Sequence, residues 1–312
     1  MSSKTFTHGR RDQTPGLAKA GATAPLTGLA ARKRRRWRVP PLVAVCLVFL
    51  LLLVLAAVFA EFIAPHDPLR QSLATRNRPP AWIAGGSTAH LFGTDNLGYD
   101  IFSRILFGAR ISLGIGVIAT IIGTMIGTIL GLIAGFFRGP FEWLIMLAVD
   151  AQLATPFLVI AIAAIAAFGK GLPILIALAG ISGWMLFARA CRSSVLSLRE
   201  RDFVTAARAM GATNERILLR HLLPNLWSIV LVIITIDLRR IVLFEATLSF
   251  LGLGVQPPTP SWGSMIDKGR EYLGTAWWIS VFPGLALMLT ILAVSLVGDW
   301  LRDALDPTLR NG

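Results

Sequence analysis

Apolar residues in this chain come in long runs, with little of the short alternation that marks strands. The first run, Val39 to Ala64, is interrupted only by Glu61 near its end. As a helix, about 25 residues reach about 37 Å, more than the ~30 Å hydrocarbon core of a bilayer. The same test applied onward predicts six spans, at 39–63, 111–137, 143–168, 172–189, 226–250 and 277–298, the fourth being the shortest. The pattern therefore predicts an all-α integral membrane protein.

Composition points the same way. The chain is 54% hydrophobic and 15% charged with mean hydropathy +0.67, against about 45–50% and about 25% in soluble domains. Its net charge of +13 raises the alternative of a nucleic-acid binder, so the placement of the charge decides. Ten of the 30 Lys+Arg lie in residues 1–38, six of them in the run Arg32 to Arg38 directly before the first span, a position that suits a cytoplasmic membrane anchor rather than nucleic acid. With that tail inside, the inner segments carry 20 Lys+Arg and the outer ones 8, so both termini are expected in the cytoplasm. A cleaved signal peptide ending before Glu61 is the competing reading, disfavoured because the run exceeds a ~7–15-residue h-region. The expected organisation is a disordered basic tail at 1–38, a first helix and outer loop at 39–110, a five-helix core at 111–300 holding an inner loop at 199–225, and a tail at 301–312.

The outer connection, about 64–110, begins with helix-ending prolines and closes with Tyr99 to Leu106, whose spacing predicts a short amphipathic helix lying at the surface before the second span. Asp95 and Asp100 within it read as loop and cap residues, lacking the alternating oxygens of a calcium loop. In the inner connection, Phe203, Ala206, Ala207 and Met210 form one apolar stripe and Gly211 supplies a stop. Thr213 can cap a second helix, whose stripe of Ile217, Leu218, Leu222 and Leu223 runs to Pro224.

This inner loop, Asp202 to Gly211 followed by Ile217 to Asn225, resembles the "EAA" cytoplasmic loop of binding-protein-dependent ABC-importer permeases, with Thr205 where the motif has its glutamate. Leu91 to Asp100, Gly108 to Leu113, Glu245 to Gly263 and the ending Gly298 to Pro307 resemble the C-type subunit of the dipeptide/oligopeptide/nickel permeases, so the likeness covers about residues 40–307. It implies the type I ABC-importer permease fold in a bacterial inner membrane. The implied partners are a second homologous permease, two ATPase subunits, an extracytoplasmic solute-binding protein and membrane lipid, with no nucleic acid. ATP and Mg would sit on the ATPases, with no cofactor on this chain. Asp202, Thr205, Ala206, Ala207, Gly211, Ile217, His221, Leu223 and Pro224 would form the coupling element in an ATPase cleft, Asp202 standing one turn from Thr205 and able to replace the missing charge. Peptide is the implied solute, with nickel chelates, glutathione and opine-like compounds as alternatives.

The residues agree that any ATPase acts in trans, since no G-x-x-x-x-G-K-[ST] loop occurs and Gly169-Lys170 lacks its upstream glycine. Ionisable groups inside spans are costly and so point to function. Asp150, Asp237, Arg239, Arg240 and Glu245 have two readings, a water-filled translocation path or a neutralised packing cluster; Asp237 and Arg240 can pair at i, i+3. Gly116, Gly123, Gly127, Gly131 and Gly135 form a close-packing ridge in the second span, and Trp262 is expected at a membrane interface. Cys46 and Cys191 read as packing residues, and the histidines, His8, His66, His90 and His221, fall in four separate regions with no metal-ligand spacing. A stand-alone secondary transporter has only Pro156 and the charges near Asp237 in its favour, and an integral-membrane enzyme would need a catalytic constellation the chain does not show.

Overall fold

The computed structural model describes residues 39–305, and its regular structure is helical, with no strand among them. The expectations placed on 1–38 and on the end of the chain lie outside the described residues. Helix α1 (Pro41–Val58) and the short α2 (Ala60–Ile63) precede the outer loop. The core comprises α3 (Ile101–Phe137), α4 (Gly139–Ala154), α5 (Phe157–Phe168) and α6 (Leu172–Leu198). The inner loop holds α7 (Asp202–Ala209) and α8 (Asn214–Arg216), and the latter widens into a π turn over Ile217–Leu222. The chain then continues as α9 (Leu223–Phe250), α10 (Trp262–Arg270) and α11 (Trp278–Leu305).

Among the described residues, α1, α3, α6 and α11 are each long and apolar enough to cross a membrane, and α4 with α5 adds a fifth if the bent pair is one span. Helix α9 matches them at 28 residues but carries Asp237, Arg239, Arg240 and Glu245.

Four expectations are corrected. The stretch 143–168 is not one straight helix: α4 and α5 meet at 89°. Pro156 removes an amide donor and pushes Thr155 into extended backbone (φ −108°, ψ 130°), so the helix stops and restarts. The short surface helix expected before the second span is instead the first three turns of α3. Asp100 caps α3, its Oδ2 accepting from the Ser103 amide at 2.8 Å, and Ile101, Ser103, Arg104 and Ile105 are buried under the outer loop and α10. At 1.5 Å per residue its 37 residues run to about 55 Å, beyond any bilayer core, which is why one helix serves both span and loop anchor. Trp262, expected at an interface, is fully buried, and its indole N–H donates to the Ile105 carbonyl at 3.1 Å. Packing against Ala57 and Ala109 accounts for this, since a buried indole needs only one acceptor.

Pro224 does not end the inner-loop helix either. It sits where the π turn joins α9, and the wider bonding of that turn opens the backbone where the ring would otherwise crowd the preceding turn. The Asn225 side chain donates to the His221 carbonyl at 2.6 Å.

The glycine ridge of α3 lies against α6 from Gly123 to Gly135, while Gly116 faces Val242 of α9. A Cβ at Gly127 would fall 2.2 Å from the Trp184 carbonyl oxygen, and one at Gly131 2.6 Å from that of Ala188, so backbone approach requires glycine at both. The ridge therefore serves the subunit's own core. Cys46 and Cys191 are buried and free, as expected of packing residues.

Candidate functional site

The inner loop is a small folded unit on the ends of the spans. Val204 and Ala207 of α7, Ile217 and Leu222 of the π turn, and Leu226 and Val230 of α9 form one buried cluster with Leu132 and Phe136 of α3 and Phe187, Cys191 and Val195 of α6. Thr213 caps α8, its Oγ accepting from the Arg216 amide at 3.3 Å. Gly211 holds φ +80°, a left-handed value that glycine adopts freely. The Arg199 guanidinium donates to the Phe136 carbonyl at 2.9 Å, joining the loop to the end of α3.

The expected stripe on α7 divides between two faces. Val204 and Ala207 point inward, whereas Phe203 and Met210 are exposed at 38% and 82%, with Ala206 beside them. Apolar residues on both faces let α7 grip the core with one and present an apolar surface with the other. Leu219 extends that surface at 56% exposure. Asp202, Thr205, Gly211 and Pro224 are exposed, Ile217 is buried, and His221 and Leu223 are half-buried.

The charges of the spans fall into four groups. On α9, Asp237 is fully buried and pairs with Arg240 at 2.7 Å, and Arg240 also reaches the Ser182 hydroxyl of α6 at 2.9 Å. Asp237 Oδ2 has no hydrogen-bond partner, and a Cβ on Gly183 would meet it at 2.6 Å. Arg239 turns the other way, donating to the Ser295 hydroxyl of α11 at 2.5 Å. Glu245 is buried, accepting from the Ser112 hydroxyl at 2.8 Å and the Ser249 hydroxyl at 2.7 Å.

Asp150 is exposed, away from Asp237, and pairs with Arg189 of α6 at 2.6 Å. Around it runs a line of α4–α6 polar contacts not evident in the sequence. Arg192 donates through Nε to Glu142 at 2.8 Å, and Trp184 donates to Gln152 Oε1 at 2.7 Å. Their partners are 50 and 32 residues apart, so no local spacing could have shown them.

In the outer loop, Asp95 is buried and accepts from the Leu97 and Tyr99 amides at 2.9 and 3.0 Å. Burial pushes its carboxyl above the ordinary carboxylate range, against the opposing pull of those amides and of Arg104 and Lys268. The histidines are not all separate, as expected from spacing: His66 and His90 stack at 4.5 Å between ring centroids beside Asp100. His66 also lines a cavity of about 580 Å³ together with Glu61, Phe107, Arg110 and Pro260.

The sequence profile of the binding-protein-dependent transport system inner membrane component matches residues 127–311, and that of the N-terminal TM domain of oligopeptide transport permease C matches 29–80. The di/tripeptide transport system permease protein DppC of Pseudomonas aeruginosa is 43% identical over 268 residues, 85% of this chain and 88% of the relative. The chain belongs to this transport family. This inner membrane component is also 43% identical to the dipeptide permease DppC of Escherichia coli K12, over 85% of its own length and 88% of the relative's. The glutathione permease GsiD of Shigella dysenteriae matches at 43% over 89% and 90%. Over 66% of this chain the fold is similar to that of 98% of a chain of the MetNI methionine ABC transporter in an inward-facing conformation, at TM-score 0.56 and 19% identity. It is a non-catalytic transport subunit, a multi-pass protein of the bacterial inner membrane.

Proposed function

We propose that this chain is one of two homologous permease subunits that together line the solute path of an ATP-driven importer of di- and oligopeptides. Solute arrives on an extracytoplasmic binding protein, and two ATPase subunits holding ATP and Mg dock on the loop 202–224. The observation that carries this is the outward apolar face of Phe203, Met210 and Leu219 around Gly211, on a loop whose inner face is packed against α3, α6 and α9. A folded loop with a hydrophobic face directed away from its own core is suited to a protein cleft. Asp202 and Thr205 border that face and offer the polar contacts.

In this reading the chain has six spans, counting α9 and the bent α4–α5 pair, with both termini in the cytoplasm. Charged residues in α9 are tolerated because they pair with one another and with Ser182 and Ser295 rather than facing lipid. The exposed side of α4 and α6, with Trp143 and Leu147 beside the Asp150–Arg189 pair, is assigned to the second permease and the water-filled path between the two. Ion pairs with both members more than half exposed are poor lipid neighbours and suit a polar path.

The test is purification of the complex from its native membrane in mild detergent with mass spectrometry of the co-purifying chains, repeated for Met210→Asp and Gly211→Leu. The second permease and the ATPases are expected with wild type, and the ATPases are expected to be lost from both variants. Unchanged ATPase recovery in both would overturn the docking assignment. Uptake by the whole system of labelled dipeptide, competed by glutathione, then checks the solute class.

A further inference from the structure

We propose that His66, His90 and Asp100 form a binding site for a d-block divalent cation of the Zn²⁺ type, closing the outer loop onto the start of α3. The three ligand atoms, two imidazole nitrogens and one carboxylate oxygen, all lie within 4.8 Å of one another. Asp100 Oδ1 is 2.9 Å from His90 Nδ1 and 3.8 Å from His66 Nδ1. Ligands bound at ~2.0–2.1 Å around a tetrahedral Zn²⁺ stand roughly 3.3 Å apart, so the two edges from Asp100 bracket the required spacing, and the third, between the imidazoles, lies within 4.8 Å and closes by side-chain rotation.

Two further features suit a cation. His66 Nδ1 is buried without a hydrogen-bond partner although it points toward a carboxylate. A buried imidazole nitrogen left unpaired is costly, and coordination satisfies it. Asp100 is also already oriented: its Oδ2 accepts from the Ser103 amide at 2.8 Å and the Ser103 hydroxyl at 2.7 Å, while that hydroxyl accepts from the His66 amide at 3.2 Å. Oδ1 is thereby directed to the histidines, an outer-shell arrangement typical of metal sites.

Nitrogen ligands with one carboxylate favour Zn²⁺, Ni²⁺ or Cu²⁺ over Ca²⁺ and Mg²⁺, which select all-oxygen sets. His90 and Asp100 expose only 12% and 1% of their side chains, whereas His66 exposes 33% and lines the 580 Å³ cavity. The cation therefore has a route of entry, and water from the cavity can complete its coordination. Bound there, it joins the exit of α1–α2 to the cap of α3, adding to the bonds from the His66 amide to Ser103, from Arg104 to the Pro68 carbonyl and from Arg110 to Glu61.

The test uses the full chain purified in detergent through a histidine-free tag and stripped with chelator. Zn²⁺ binding is read by elemental analysis after gel filtration, and Co²⁺ binding by visible absorption. Wild type is expected to retain about one Zn²⁺, to show a four-coordinate Co²⁺ band, and to melt at higher temperature with Zn²⁺ than without. Removing a ligand is expected to weaken binding at least as much as loss of an outer-shell partner, about 100-fold. His66→Ala serves as the main variant because its ring makes no hydrogen bond, with His90→Gln as the second. A His8→Ala variant is expected to bind Zn²⁺ as wild type does. Failure of wild type to bind, or equal Zn²⁺ affinity in His66→Ala and His90→Gln, would overturn the assignment.

Discussion

The contact between α3 and α6 allows a graded test, because four glycines on α3 differ only in what a methyl group would meet. At Gly127 a Cβ would lie 2.2 Å from the Trp184 carbonyl oxygen and 2.6 Å from Phe187 Cβ; at Gly131 it would lie 2.6 Å from the Ala188 oxygen and 2.7 Å from Cys191 Cβ. At Gly123 the nearest atom is the Gly180 oxygen at 3.1 Å, and at Gly114 nothing lies within 4 Å. Ordinary carbon contacts need about 3.5–4.0 Å, so alanine at 127 or 131 drives the helices apart by about 1 Å, forfeiting contacts on either side. Overpacking of this kind costs about 1–3 kcal/mol, and the better helix propensity of alanine returns about 0.5–1, leaving a net loss of up to about 2.5 kcal/mol. At about 2–4 °C per kcal/mol this is a fall in melting temperature of up to about 10 °C. Gly123→Ala should be near neutral and Gly114→Ala neutral or slightly stabilising. Melting of the detergent-solubilised chain, followed by size-exclusion chromatography after heating, gives the order. If Gly127→Ala and Gly131→Ala melt no lower than Gly114→Ala, the ridge is not the close approach described here.

Three other outcomes follow from the buried polar groups. Arg240→Ala strands the Asp237 carboxylate in the core and should cost about 3 kcal/mol, the low end for a broken buried pair because Arg240 is 32% exposed; adding Asp237→Asn should restore most of it in the same melting assay. Glu245→Ala leaves the Ser112 and Ser249 hydroxyls without their acceptor and should cost about 1–3 kcal/mol, whereas Glu245→Gln keeps an acceptor and should cost less. Because the Asp95 carboxyl is raised above its model-peptide value of 3.8, the folded state holds that proton more tightly than the unfolded one, so its contribution is most favourable below 3.8 and is lost as pH rises through the raised value. Asp95→Asn keeps an oxygen for the Leu97 and Tyr99 amides, so it should melt higher than wild type at neutral pH, with the advantage vanishing near pH 3.8; an advantage independent of pH would contradict this.

Much of this molecule was legible because its signals are local. Apolar runs place the long helices, Gly211 and Thr213 mark the turn of the inner loop, and i, i+3 spacing finds the Asp237–Arg240 pair. What sequence missed depends on contacts between distant segments. The periodicity of 99–106 is that of a surface helix, and only the outer loop and α10 folding over it make Ser103 and Arg104 buried. Trp262 suits an interface by residue type but is enclosed by α1 and α3. His66, His90 and Asp100 meet because the loop doubles back, which no spacing rule encodes. On α7, five of eight residues are apolar and they lie on two faces, and periodicity cannot tell which face the protein keeps for itself.

That division of α7 bears on how ATP-driven motion would reach the spans under the proposed docking. Its inner face, Val204 and Ala207, is buried with residues of α3, α6, α9 and the π turn, so a push on α7 loads all of them at once. A close-packed cluster transmits displacement rather than absorbing it. Of these routes, the one through the π turn is distinctive, because Ile217–Leu222 leads without a break into α9. From Leu222 to Asp237 is about 22 Å along a helix. There Asp237 and Arg240 meet Ser182 of α6, beside Gly183, where there is no room for a Cβ. The π turn is also where the helix ladder is most readily rearranged, since its wider bonding can revert to α geometry with a shift of one residue. Its rearrangement would rotate α9 relative to α6 and force the Arg240–Ser182 contact to break or re-form. A small displacement at the loop could in this way become a discrete change among the charges of the spans, provided the π turn and the buried α7 face act together.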